Sequence, residues 1–188
     1  MAASTNPAAG ERKRFTVEEV ERMSAAGLLD DQDLELIDGD LVVRPGQSPP
    51  HAAAKYRLRL RLEEAYRDLG CVRDQDPLRV GDHDQPQPDL AVVPTTEDDY
   101  VTFHPRGSAA LLVVEISATS LEYDHHKVAS YARGSVPVVW IVNLDDRVLE
   151  VCSQPKNGRY TAHVELTEAD SAALPGTTER VAVESLFP

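Results

Sequence analysis

The chain has 188 residues, 41% of them hydrophobic and 27% charged, which is enough apolar material to build a sizeable core without disulfides or a structural metal. Its longest strongly apolar stretch, around Ala109 to Val114, is far too short to cross a bilayer. A net charge of −13, from 32 Asp plus Glu against 19 Lys plus Arg, argues against a protein that coats nucleic acid nonspecifically, because such binding draws on phosphate neutralisation. It leaves room for a compact metal site, where a bound cation supplies local positive charge.

Residues 1–14 mix small, polar and charged residues and read as a flexible tail without a signal-peptide core. A single domain is expected over 15–188. Thr16 and Glu19 form a capping box that opens a short helix through Val20 and Met23, ending near Gly27. Leu34 to Val43 reads as a hairpin, because Asp38-Gly39 supplies the positive φ angles of a two-residue turn. Pro45 to Pro50 is a loop. His51 to Leu69 reads as a helix with Leu58, Leu62, Ala65 and Leu69 on one face and Gly70 as its stop.

Cys71 to Val80 alternates weakly, as a strand does, and Gly81 to Gln87 reads as a polar loop. Pro88 to Val93 is a strand with an acidic residue at its mouth. Pro94 to Gly107 is irregular, with a short strand expected near Tyr100 to Phe103. The continuous apolar run Ala109 to Ile116 has the pattern of a strand covered on both faces. Leu121 to Arg133 is a helix ended by Gly134, and Val136 to Val142 a second buried strand. Arg147 to Cys152 and Arg159 to Val164 alternate as an outer antiparallel pair, and Val181 and Val183 suggest a last strand. This order predicts an α/β fold with a mixed β-sheet flanked by α-helices.

Cys71 and Cys152 match no zinc or redox spacing and read as two reduced thiols in a cytoplasmic protein. Asp82-His83-Asp84 reads as a solvated loop, and His125-His126 as surface residues, since neighbours on a helix do not share a face. Lys55, Arg57, Arg59 and Arg61 make the one dense basic segment. A solvated helix face is its default reading, and a phosphate-contacting face the sharper one.

Chemistry concentrates at Asp89 and Glu115. A carboxylate directly after Leu111-Leu112-Val113-Val114 is costly to bury unless it is paired or bound to metal. If Asp89 and Glu115 end neighbouring strands, their oxygens converge within reach of one Mg²⁺, a hard ion that takes carboxylates, carbonyls and waters. The carbonyl of Ile116 is the natural third ligand.

The order and spacing of several segments resemble the PD-(D/E)XK nuclease superfamily, and more closely its Uma-two family of restriction endonuclease-like proteins. The segments are Glu35 to Leu41, His51, Pro88-Asp89-Leu90, Val113 to Ser117, Tyr123 to Lys127, Tyr131 to Pro137 and Trp140 to Val142. The resemblance implies a restriction endonuclease-like fold and a Mg²⁺- or Mn²⁺-dependent endonuclease acting on DNA, and it leaves a homodimer open as the assembly. It implies catalytic roles for Asp89, Glu115, Lys127 and Glu35, with Asp89, Glu115 and Ile116 on the metal and His51, Ser117 and Tyr131 on the substrate. Ser117 stands where the superfamily's usual lysine would be, and Lys127 on the following helix is the matching position in this branch. The rival expectation is an inactive nuclease fold that serves as a binding or interaction module.

Overall fold

The structure, a computed structural model, describes residues 12–29, 33–118 and 121–188. Most of the expected tail, 1–11, lies outside the described residues. Arg12 and Arg14, at its inner end, pair with Asp40 and Asp38 of the hairpin.

Helix α1 (Val17–Ala25) begins at the Thr16–Glu19 capping box, with both reciprocal bonds formed. The hairpin β1 (Leu34–Ile37) and β2 (Asp40–Val43) turns at Asp38 and Gly39, whose φ angles are 51° and 82°. Helix α2 spans Pro49–Ala65, shifted towards the N-terminus from the sequence expectation. Pro49 and Pro50 occupy its first turn, where a missing N–H costs nothing. Its buried stripe is Ala54, Leu58 and Leu62, continued by Tyr66 beyond the helix end, whereas Leu69 is exposed.

A six-stranded mixed sheet in the order β3-β4-β5-β6-β7-β8 forms the centre. Its strands are β3 (Cys71–Asp74), β4 (Leu90–Val93), β5 (Leu112–Ser117), β6 (Val138–Asn143), β7 (Val148–Lys156) and β8 (Arg159–Leu166). The one parallel pair is β5 with β6, and α3 (Leu121–Arg133) makes the crossover between them. Alternation along β4 and β5 sorts their side chains into two cores. Leu90, Val92, Leu112, Val114 and Ile116 pack with α2, while Ala91, Val93 and Val113 pack with Tyr131 of α3. The C-terminal ribbon β9 (Ser171–Ala173) and β10 (Arg180–Ala182) closes the α2 side, with Ala172 and Val181 in that core.

Four sequence expectations need correction. The strand begun at Cys71 ends at Asp74, because Gln75 takes a left-handed φ of 56° and leaves the sheet. No strand forms near Tyr100 to Phe103; the segment is a turn with Asp99 and Tyr100 at positive φ and with Val101 and Phe103 exposed. Val183 belongs to a 3₁₀ turn (Val183–Leu186) rather than a strand. The loop at Asp82-His83-Asp84 is not simply solvated. Asp84 is buried and accepts bonds from the Asp38 N–H, the Ser130 hydroxyl and Arg133.

Candidate active site

Asp89 stands one residue before β4. The register Leu90↔Val114, taken one step further, sets Asp89 opposite Glu115 across the antiparallel β4–β5 pair. Both residues are nearly sealed, at 5% and 2% exposure. The Asp89 N–H points at Glu115 Oε2 at 3.4 Å. Asp89 Oδ2 accepts the Ile116 N–H at 2.8 Å and lies 2.9 Å from His51 Nε2, while Oδ1 accepts from Gln75 Nε2 at 3.3 Å. A residue's N–H and C=O leave a strand on the same edge, so the Ile116 carbonyl is also directed to the Asp89 side.

Helix α3 supplies the opposing layer. Tyr123, Lys127 and Tyr131 recur every four residues and so share one flank. Tyr123 donates to Glu35 Oε1 at 2.8 Å, and Tyr131 donates to Glu115 Oε1. Between them, Lys127 Nζ lies 2.8 Å from Glu115 Oε1 and 3.3 Å from Glu35 Oε2. Glu35 reaches this point because β1 presents it inward, and the Gln87 N–H holds its Oε2 at 2.8 Å.

Four buried carboxylates, Glu35, Asp89, Glu115 and Asp124, thus surround a single ammonium. Burial opposes the charge on Lys127, but Glu115 and Glu35 outweigh it and raise its pKa, so it stays protonated. Burial pushes Glu115 up to about 8, against the attraction of Lys127 and with repulsion from Asp124, Asp89 and Glu35 adding to it. Burial also acts upward on Asp89, yet the His51 hydrogen bond and charge, the Ile116 N–H and Lys127 bring it below the usual carboxylate value. Burial raises both Tyr123 and Tyr131, which keeps their phenols protonated as donors.

The donor set fits a hard divalent cation. Among the described residues no group of three or more His, Cys, Asp or Glu side chains is arranged to hold a metal. The Asp89 and Glu115 carboxylates and the Ile116 carbonyl are hard oxygen donors, the type Mg²⁺ takes when it binds through one or two carboxylates and keeps several waters.

These groups line one cleft of about 510 Å³, open solvent at its mouth included. Glu35, His51, Asp89, Glu115, Ile116 and Lys127 all face it. Ser117 and Tyr131 do not: Ser117 is buried beyond Glu115, and Tyr131 stands behind Glu115 as its hydrogen-bond donor. Sequence reasoning passed over Arg44, Ser48, Gln75 and Asp124 on the cleft wall, and Tyr123 as the partner of Glu35. Asp124 and Tyr123 had a signal in their place on the same helical turn as Lys127. Arg44 had none, being one polar residue at the end of a hairpin.

The basic run on α2 is largely committed to the protein itself. Lys55 pairs with Asp74, Arg57 donates to the Phe187 carbonyl, and Arg59 bridges Glu63 and Asp74. The two adjacent histidines of α3 are exposed, and His125 joins His163 of β8 on Glu150. Among the described residues no helix is long and apolar enough to cross a membrane.

A family model named Uma2, with the description "Putative restriction endonuclease", matches residues 17–183. The fold is similar to that of a crystal structure from Anabaena variabilis ATCC 29413, described as "a putative nuclease belonging to DUF820". The TM-score is 0.75, with 15% sequence identity, over 92% of this chain and 97% of that one. No curated protein matches the chain.

Proposed function

This chain belongs to the Uma2 family, "Putative restriction endonuclease", and from that membership and the geometry of its cleft we propose that it is a metal-dependent nuclease hydrolysing phosphodiester bonds in DNA. One observation carries the reading: Lys127 Nζ stands 2.8 Å from Glu115, although Ser117 fills the position where a strand-borne lysine would lie. A lysine delivered from α3 thus does the work of one delivered from β5.

Asp89 and Glu115, with the Ile116 carbonyl, would hold Mg²⁺ or Mn²⁺. The cation supplies an activated water and shields phosphate charge. Lys127 keeps its ammonium protonated beside Glu115, where it can orient the attacking water and stabilise charge growing on the phosphorus. Glu35 acts through Lys127: its Oε2 helps fix the ammonium, and Tyr123 fixes Glu35 in turn. His51 and Gln75 hold the Asp89 carboxylate from both oxygens, which limits its rotation and presents it to the cation already oriented.

The direct test is cleavage of plasmid and oligonucleotide DNA in Mg²⁺ and Mn²⁺, with Asp89→Ala and Lys127→Ala beside the wild type. The wild type should cut and both variants should lose at least about a hundredfold in rate, the usual scale for removing a metal ligand's support or a charge-stabilising donor. Cleavage that survives both substitutions removes the assignment. Absence of metal binding by the wild type in calorimetry turns the reading to a nuclease fold used only for binding.

A further inference from the structure

The cleft that holds the carboxylates has to accept an anion, and most of its donors are already taken. Lys127 is held by Glu115 and Glu35, His51 Nε2 and the Gln75 amide by Asp89, and the Tyr123 hydroxyl by Glu35, while His51 Nδ1 is buried without a hydrogen-bond partner. Two cleft residues from the segment between β2 and α2 differ.

Arg44 keeps a side chain only 9% exposed, yet spends one nitrogen, Nη1, on Asp33 at 3.0 Å and Gln87 at 3.4 Å. Its Nε and Nη2 have no partner among the described residues. A guanidinium carries five N–H donors in a fixed fork that matches phosphate oxygens, and among the described residues this one is anchored through Nη1 alone. Ser48 is the N-cap of α2 but makes no capping bond, and Pro50 removes one of the N–H groups it could have capped. Its Oγ is buried without a hydrogen-bond partner, an uncommon state for a hydroxyl. Both residues line the cleft shared with Asp89, Glu115 and Lys127. The start of α2 adds its partial positive charge to the same wall.

We infer that Arg44 and Ser48 form a phosphate subsite that takes the non-bridging oxygens of a backbone phosphate on the bound strand. That the phosphate belongs to a nucleic acid rests on the nuclease reading; that the pair receives a phosphate rests on the unpaired donors. The guanidinium supplies a charged fork, and the hydroxyl supplies a third donor. This would give an acidic protein a local anchor for a polyanion without the basic run of α2.

The test uses the full chain and short DNA duplexes in which one phosphate at a time is replaced by an uncharged methylphosphonate, with Ca²⁺ present and binding followed by fluorescence anisotropy. One linkage should stand out, its neutralisation weakening wild-type binding about tenfold, as expected for a lost charge-assisted hydrogen bond. In Arg44→Gln that linkage should no longer matter, and in Ser48→Ala, a change too small to endanger folding, its effect should shrink. The same penalty at every linkage in wild type and both variants overturns the subsite, as does failure of the wild type to bind any duplex. Coupling seen in a protein that cleaves nothing in Mg²⁺ or Mn²⁺ keeps the subsite and removes the nuclease reading. Cleavage without coupling does the reverse.

Discussion

Lys127 carries its charge inside the protein because Glu115 and Glu35 grip it from two sides, and the grip works in both directions. Lys127→Met should abolish cleavage and also lower stability by about 3–5 kcal/mol in urea unfolding, since it strands buried carboxylates without their cation. Glu115 sets the pH response. Its folded pKa, about 8, lies above the ordinary 4.5, so the unfolded chain binds fewer protons between those values. This group's stabilisation is therefore complete below about pH 4.5, declines as pH rises, and is gone above 8. Glu115→Gln should flatten that slope in the metal-free protein. By the same proton, wild-type affinity for Mg²⁺ should climb with pH up to about 8 and then level, with protons released on binding. Calorimetry at several pH values in buffers of different ionisation heat reads both effects. Asp89 and Glu115 were legible in the sequence because an apolar run ending in a carboxylate states its own problem. Arg44, Ser48 and Gln75 were not, because their roles arise from partners and walls brought together by the fold.

At the scale of elements, the site is a joint between the β1–β2 hairpin, the β4–β5 strand ends and α3. The buried Asp84 pins that joint from behind, with the Asp38 N–H at 2.8 Å and Ser130 Oγ at 2.6 Å on one oxygen and Arg133 across both. The hairpin that brings Glu35 and the helix that brings Lys127 therefore share one anchor outside the cleft. Asp84→Ala should cost about 1–3 kcal/mol from the unsatisfied donors it leaves. It should also lower the cleavage rate while leaving metal affinity near wild type, because Asp89 and Glu115 sit on strands it does not touch. Most elements were legible from periodicity, caps and the Asp38-Gly39 turn. The misses share a cause. Gln75 and Tyr100 adopt left-handed backbone that no apolar pattern announces, and Asp84 lies in a polar stretch whose burial depends on residues 46 and 49 positions away.

For the whole molecule, a charge of −13 makes any nucleic-acid contact local. Duplex binding should vanish in a chelator and return with Ca²⁺. The slope of log affinity against log salt should be shallow, between about −1 and −3, since each neutralised phosphate contributes about −0.9 and the cleft lining carries Arg44 and Lys127 as its Arg and Lys cations. A steep slope would indicate a basic surface outside the cleft. The central claim, that strand-end carboxylates and a helix-borne lysine make one metal centre, is tested most directly by a crystal soaked in Mn²⁺ and measured at the manganese absorption edge. An anomalous peak is expected between the carboxylates of Asp89 and Glu115, within bonding distance of the Ile116 carbonyl and beside Lys127. A fully soaked crystal with no peak there, or with manganese only elsewhere on the acidic surface, would contradict it.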